Sequence, residues 1–380
     1  MKIKIKQFGI ITIVAIIAFT FNACENNNDT THTHQWGAWK SNATQHWKEC
    51  SCGDKTQVAN HTGNPCSVCD NDGGEKDFIW TAVTDSTFAT NNYINAVAFG
   101  DGKFVAVGEN GGKMAYSSDG EIWISVAEST FGTNGMIRDV AYGDGKFVAV
   151  GVQGKMAYSS DGINWIQVEN NLFYGNRINT ITWGNDKFIA GGAQGRMTYS
   201  NDGINNWMSV ENNTFSDEVY AIAWGNNKFI AGGDQGKIAY SSNGIEWIPV
   251  ENSTFGNFQD IQSIAHGDSV FVASSSYGGM AYSSDGITWS RANSIFGGHL
   301  SSGADGIAWG NNIFVAVGYG VFDEIEETGS RIAYSTNGIT WTTVENTAFM
   351  RLSSINDVAY GNGKFVAVGA YGQIAYWDGN

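Results

Sequence analysis

The sequence predicts an all-β protein: one seven-bladed β-propeller, closed by an N-terminal strand and preceded by a small Cys/His module. A tryptophan recurs about every 42 residues, each repeat holds four short apolar runs, and the two ends of the repeat region are each incomplete. The 49 glycines and only 2 prolines suit many tight turns between short strands. The repeat tryptophans are Trp80, Trp123, Trp165, Trp207, Trp247, Trp289 and Trp341, at intervals of 43, 42, 42, 40, 42 and 52 residues.

One repeat illustrates the predicted blade. Residues 137–142 form strand A, and Asp144-Gly145 is a hairpin turn of the type that requires positive φ at both residues. Strands B (147–150) and C (155–158) follow, and strand D begins at Trp165 after a Ser-Ser-Asp-Gly turn. Outside the first 24 residues, no window has the 3.6-residue period of a helix.

The two ends of the repeat region predict how the ring closes. The last repeat stops at residue 380, just after its strand C, and has no strand D of its own. The segment from Asp77 to Thr84 contains Trp80 and is a strand D without strands A, B or C before it. Joined, the two pieces make the seventh blade, and closure pairs the edges that an open sheet would expose.

The turn after strand C resembles the Asp-box (BNR-type) propellers, which include sialidases, other glycoside hydrolases and photosystem assembly factors. Residues 117–123 (Ser-Ser-Asp-Gly-Glu-Ile-Trp) and 283–289 carry the resemblance, one residue shorter than the usual motif. Two copies have Asn243 and Asn337 in place of Asp. The resemblance implies the propeller fold. It indicates function only weakly, because one fold hosts many functions.

A glycoside hydrolase of the sialidase type is the alternative function. A general glycosidase needs two facing carboxylates; Asp305 with Asp217 or Asp260 is one candidate pair, but nothing in their spacing selects it. None of the propeller arginines lies in the Arg-Ile-Pro context of the sialidases. The sequence contains no phosphate loop, nucleophile elbow or His-Glu-x-x-His motif. We therefore favour non-catalytic binding of a protein or a glycan.

Comparing the repeats with one another separates structural positions from candidate binding positions. A phenylalanine recurs after each strand D and a tyrosine recurs in each strand C, so both are interpreted as packing residues. Loops B–C of blades 1 to 4 carry an amide side chain, whereas those of blades 5 to 7 carry a tyrosine. The blade 6 loop also has an acidic insertion that includes Asp323, Glu324, Glu326 and Glu327.

The second residue of strand A also varies between blades. Loops D–A and B–C share one face of a propeller, so we expect a binding site on that face at blades 5 to 7; drift of exposed loops is the competing interpretation. The candidate ligand-binding residues are Tyr277, Tyr319, Tyr371, Arg351, Asp305, Tyr220 and Arg138.

Residues 1–24 are interpreted as an export signal. Lys2, Lys4 and Lys6 precede an apolar run that is too short for a convincing membrane span. The segment ends in Phe-Asn-Ala-Cys, which resembles a bacterial lipobox with lipidation at Cys24. The competing interpretation is an ordinary signal peptide with a chance cysteine. Residues 25–31 would be a polar tether, and the protein would lie in the cell envelope, on the outer membrane or cell surface.

The segment 32–70 is predicted to be a separate small module, followed by a linker at 71–76. Its four cysteines form two close pairs, which suits a structural tetrahedral zinc site and resembles small zinc-ribbon-like repeats. Two structural disulfides are the alternative in an extracytoplasmic compartment. The candidate ligands are Cys50, Cys52, Cys66 and Cys69, with His46 or His61 as possible replacements.

Charge excludes one class of partner. Without the first 24 residues, 18 Lys and Arg side chains stand against 37 Asp and Glu, a net charge of −19. Such a surface repels phosphate backbones and gives no attraction to anionic lipid head groups, so nucleic acid is not expected as a partner. Membrane contact would come through the lipid anchor, and we expect a monomer.

Overall fold

The computed structural model describes three strands between residues 36 and 60 by their backbone. It then describes residues 78–379, with gaps at 294–295, 297–302, 320–329, 345–346 and 351–352. The chain divides into two compact units, Met1–Lys76 and Asp77–Asn380. In the first unit, β1 (Trp36–Ser41), β2 (Gln45–Cys50) and β3 (Lys55–Asn60) form an antiparallel sheet. Among the described residues, no helix has the length and hydropathy needed to cross a membrane.

The second unit is a seven-bladed β-propeller, which confirms the predicted fold class. Each blade is a four-stranded antiparallel sheet with strands A to D in chain order. Blade 1 consists of β5 (Ile94–Gly100), β6 (Lys103–Gly108), β7 (Met114–Ser117) and β8 (Ile124–Ser125). Blade 2 consists of β9 (Ile137–Gly143), β10 (Lys146–Gly151), β11 (Met156–Ser159) and β12 (Ile166–Gln167). Blade 3 consists of β13 (Ile178–Gly184), β14 (Lys187–Gly192), β15 (Met197–Ser200) and β16 (Met208–Ser209).

Blades 4 to 7 continue the pattern. They are β17 (Val219–Gly225), β18 (Lys228–Gly233), β19 (Ile238–Ser241), β20 (Ile248–Pro249); β21 (Ile261–Gly267), β22 (Val270–Ser275), β23 (Met280–Ser283), β24 (Ser290–Arg291); β25 (Gly303–Gly310), β26 (Ile313–Tyr319), β27 (Ser330–Ser335), β28 (Thr342–Val344); and β29 (Ile355–Gly361), β30 (Lys364–Gly369), β31 (Ile374–Trp377), completed by β4 (Thr81–Ala82). Single 3₁₀ turns occur in loop B–C at Val152–Gly154, Ala193–Gly195, Asp234–Gly236 and Ala370–Gly372.

Blade 7 closes as the sequence predicts. Strand β4 pairs antiparallel with β31, with Thr81 opposite Tyr376 and Ala82 opposite Ala375. Trp80 is only 3% exposed and packs with Trp377 and Phe365 between blades 6 and 7. The ring is therefore held shut by chain segments almost 300 residues apart in the sequence.

The turns obey the predicted backbone chemistry. All seven A–B hairpins have positive φ at both turn residues, including Asp268 and Ser269 at 44° and 64°. In the turn after strand C, Ser117 Oγ accepts the N–H of Gly120, and Asp119 Oδ1 accepts the N–H of Glu121 and of Ile122. These bonds hold the turn that leads to Trp123, which is buried between blades 7 and 1.

The core consists of seven apolar clusters, one at each interface between neighbouring blades. Five of the phenylalanines that follow strand D are buried, and Phe255 and Phe349 pack partly buried against two of the clusters. The tyrosines of strand C are partly buried, as Tyr116 is at the interface of blades 1 and 2. The interpretation of both repeated aromatics as packing residues is therefore confirmed.

A second set of aromatic residues packs each strand A against strand A of the preceding blade. The sequence comparison overlooked this set. The next-to-last residue of each strand A packs against the glycine that ends strand A of the preceding blade. A Cβ added to Gly100, for example, would lie 2.0 Å from Cγ of Tyr142, so only glycine fits. The glycine–ring pairs are Gly100–Tyr142, Gly143–Trp183, Gly184–Trp224, Gly225–His266, Gly267–Trp309, Gly310–Tyr360 and Gly361–Phe99.

Candidate functional site

A polar cavity of about 350 Å³ lies at the end of the central channel where the inner strands begin, on the face of loops D–A and B–C. We call this cavity the channel mouth. Every strand A has a register shift at its second residue, counted from Ala304 in the longer strand β25, and the shift turns that side chain into the cavity. The seven second residues are Asn95, Arg138, Asn179, Tyr220, Gln262, Asp305 and Asn356.

In three blades the second residue is an asparagine that ties its blade to the next one. Asn95 Nδ2 donates to the carbonyl of Ile137 at 2.7 Å, and Asn356 Nδ2 donates to the carbonyl of Ile94 at 2.9 Å. Asn179 Nδ2 donates to the carbonyl of Val219 at 3.1 Å and also to Oε2 of Glu218 at 2.7 Å. All three asparagines therefore bond the backbone of the next blade, although Asn179 Oδ1 has no hydrogen-bond partner among the described residues.

The residue after the second residue of strand A provides a second type of hydrogen bond between neighbouring blades. Asp357 accepts the N–H of Val97 at 2.9 Å, and Asp139 accepts the N–H of Ile181 at 2.8 Å, each from the next blade. Burial raises the pKa of Asp139 to about 6 and that of Asp357 to about 8, although the N–H donors oppose the shift. Both aspartates thus have structural partners.

The other four blades break the asparagine pattern. Arg138 is partly buried; its Nε has no hydrogen-bond partner in the described part of the chain, and its Nη1 lies 3.9 Å from the sulfur of Met136. Burial and the charge of Arg177 lower the pKa of Arg138. Burial and the carboxylate of Asp234 raise the pKa of Tyr220 to about 12, so its phenol stays protonated.

Asp305 is the acidic member of this group. Burial raises its pKa to about 7, and no neighbouring charge contributes to the shift. Within the described residues its carboxyl group makes no hydrogen bond, whereas Gln262 in the preceding blade has only a 3.5 Å contact with the carbonyl of Asp260. The proposed hydrolytic partners Asp217 and Asp260 are not among the residues that line the cavity with Asp305.

The loops around the channel mouth expose large aromatic side chains. Tyr277 and Tyr371 are 38% and 44% exposed, both with positive φ, and Tyr371 lies 6.4 Å from Tyr93 between ring centroids. Phe258 and Tyr174, in two D–A loops, are 86% and 76% exposed. The sequence analysis missed this last pair, although aligning the D–A loops would have shown that neither aromatic recurs.

Tyr319 differs from the other two predicted tyrosines. It ends strand β26, where it pairs with Gly303 and Ser330, and so aligns with Ala370 rather than with Tyr371. The longer loop of blade 6 explains the difference, because β26 continues where the other blades turn. The structure therefore brings Arg138, Tyr220 and Asp305 together at the channel mouth and leaves the tyrosines outside it.

Several predicted site residues lie outside the described residues. They are Arg351, the acidic insertion of blade 6, Cys24, Cys52, Cys66, Cys69 and His61. Cys50 and His46 are described by the backbone of β2 only. In the part of the chain whose side chains are described, no group of three or more His, Cys, Asp or Glu could hold a metal ion.

No protein-family model matches the sequence. No curated protein matches it either.

Solved structures of other propellers are similar to this chain. YCF48 bound to D1 peptide is 15% identical, with a TM-score of 0.59 over 78% of this chain and 96% of its own. The WD40 propeller domain of Doa1 is 15% identical, with a TM-score of 0.56 over 78% and 94%. Virginiamycin B lyase from Staphylococcus aureus is 7% identical, with a TM-score of 0.61 over 78% and 98%. At these identities the likeness establishes the fold alone.

The two kinds of second residue should respond differently to truncation. We expect Asn356→Ala to lower the free energy of unfolding by about 1–3 kcal/mol, because the carbonyl of Ile94 loses its donor. Gln262→Ala, at the same position of another blade, should change it by less than about 0.5 kcal/mol. Urea unfolding of both variants measures the difference, and equal losses would contradict the division into tied and free positions.

Proposed function

We propose that the propeller is a non-catalytic binding module that takes a protein or glycan ligand on the channel-mouth face, with a protein ligand favoured. The main support for this proposal is that the seven second residues fall into two groups. Three asparagines serve the fold, whereas Arg138, Tyr220, Gln262 and Asp305 line the same cavity without serving as the Asn-type tie. Positions that give up a stabilising contact next to a cavity are expected where a ligand is recognised.

The surrounding loops support a macromolecular ligand. Phe258, Tyr277 and Tyr371 expose aromatic surface around a polar cavity. Exposed aromatic side chains provide large contact areas at a low entropic cost and are enriched at protein interfaces. The cavity alone is small for a complete ligand, so the loops would supply most of the contact area.

The structural neighbours are consistent with this proposal. YCF48 is a propeller whose structure was solved with a bound peptide, and the likeness covers 78% of the chain described here. That likeness shows the fold only, so peptide binding enters here as support for the proposal. Virginiamycin B lyase shows that an enzyme can share the architecture, which keeps hydrolysis as an outcome of the test.

Removing the loop aromatics should weaken ligand binding. We expect the triple variant Phe258→Ser, Tyr277→Gln and Tyr371→Gln to bind at least about tenfold more weakly, because each aromatic contact contributes about 0.5–1.5 kcal/mol. Glutamine is chosen because blades 2 to 4 carry it at that turn position. Peptide and glycan arrays identify the ligand, and calorimetry measures the affinity.

A matched control lies on the opposite face. Ile122, Ile245 and Ile287 are exposed in the turns after strand C, so their triple serine variant should bind normally. Equal weakening in both triple variants would contradict a site on the channel-mouth face. Turnover of a fluorogenic glycoside that is lost in Asp305→Asn would overturn the non-catalytic assignment.

We also propose that Cys24 carries a lipid that anchors the protein in the cell envelope, on the outer membrane or cell surface. The support is the charged segment and apolar run that precede the lipobox-like Phe-Asn-Ala-Cys. Palmitate labelling in a bacterial host should be abolished by Cys24→Ser. A mature N-terminus at any other residue would contradict the anchor.

For the module at 32–70 we propose one structural zinc ion held by Cys50, Cys52, Cys66 and Cys69, with His46 or His61 as possible replacements. The spacing of the two cysteine pairs is the support. Metal analysis should find one zinc per chain, with four thiols titratable after chelation. Two intact disulfides and no metal would refute this proposal.

A further inference from the structure

Asp305 stands where three other blades place the tying asparagine. In those blades the side-chain amide donates to the carbonyl of the first residue of the following strand A, as Asn356 does to Ile94. The equivalent acceptor for Asp305 is the carbonyl of Ile355, the first residue of strand A in blade 7. An ionised carboxylate has no proton to donate, so Asp305 cannot replace the asparagine as the donor to this carbonyl.

A cationic donor can take the place of the missing asparagine donor. An ammonium group carries three donors and a charge opposite to that of Asp305, so it can bond the carboxylate and a carbonyl together. The side-chain oxygen of Gln262, on the neighbouring blade, makes no hydrogen bond in the described residues and lines the same cavity. Among the described residues that line the channel mouth, the cation is Arg138 of blade 2, and the shift in the pKa of Asp305 comes from burial.

We propose that Asp305 and Gln262 receive the side-chain ammonium group of a lysine that a partner protein inserts into the channel mouth. The inference rests on the proposed function and names the chemistry of its ligand. A cavity of about 350 Å³ is at the small end of binding pockets, which suits one long side chain. The net charge of −16 favours the approach of a basic partner.

Ligand binding at this position is coupled to a proton. The titratable groups that line the cavity with Asp305 are Arg138, Asp139, Tyr220 and Asp357. Burial alone raises the pKa of Asp305 to about 7. Below pH 7 the ammonium group therefore displaces a proton from the carboxyl group, and binding strengthens as the pH rises. With a pKa of about 7, the ionised fraction, and hence the affinity, increases about tenfold between pH 6 and pH 8.

The test uses the full chain and short peptides blocked at both ends that differ at one central residue. Isothermal titration calorimetry compares lysine, norleucine and glutamate peptides at pH 6 and pH 8, in two buffers of different ionisation enthalpy. The lysine peptide should bind at least tenfold more tightly than the norleucine peptide, with proton release at pH 6. No preference for lysine, or no proton release, would overturn the proposal.

Two variants assign the effect to Asp305. Asp305→Asn restores the residue of blades 1, 3 and 7, so it should fold; it should weaken the lysine peptide at least tenfold at pH 8 and remove the pH dependence. Asp186→Asn, in an exposed hairpin turn, should change neither. Lysine binding that survives Asp305→Asn would overturn the proposal, as would glucosamine oligomers that replace lysine as the Asp305-dependent ligand.

The two proposals can fail separately. If the array ligand depends on Phe258, Tyr277 and Tyr371 but contains no lysine that Asp305 recognises, the binding function stands and this inference is wrong. If the lysine peptide binds through Asp305 and the aromatic variants leave the array ligand unaffected, the assignment of the surrounding loops is wrong.

Discussion

The contact between an aromatic ring and a glycine at the end of each strand A is the constraint on which the propeller depends. It repeats seven times around the channel, and a side chain larger than hydrogen at the glycine would overlap the ring of the next blade. Each of these rings also lies 4.4–4.8 Å from a phenylalanine of strand B in its own blade. These contacts therefore fix, at the same level along the channel, the end of every strand A that lies away from the channel mouth. The opposite ends, with their register shifts, then meet around one cavity.

The channel mouth shows how a repeated fold accommodates an unrepeated site. The register shift leaves backbone groups that need hydrogen-bond partners. The side chains that provide these partners are Asn95, Asn179, Asn356, Asp139 and Asp357. Where the contacts between neighbouring blades already give enough stability, the second residue of strand A is not needed for this hydrogen bond. Arg138, Tyr220, Gln262 and Asp305 occupy such positions and bring charge and hydrogen-bonding capacity to the cavity.

Much of the fold could be predicted because its signals are local. Turn residues with positive φ, alternating short strands and the incomplete end repeats determine the blade count and the closure of blade 7. The register shifts could not be predicted, because they arise from packing around the channel. The same holds for Tyr319: the sequence aligns it with Tyr371, but the longer loop of blade 6 extends β26. Phe258 was overlooked because the comparison followed loop B–C, although its exposure follows from its place in loop D–A.

The closing strand also determines where mechanical load enters the molecule. A pull on the chain before residue 78 reaches the propeller first at Phe78, which stacks on Tyr334, and then at Trp80 and β4, on the outer edge of blade 7. That force is carried by the ring contacts of Phe78, the burial of Trp80, the two residue pairs with β31, and the hydrogen bond from Val83 N–H to the carbonyl of Ile374. The inner strands that shape the channel mouth lie on the opposite side of the blade. A tethered propeller would therefore bear tension at its rim, away from the strands that hold a ligand.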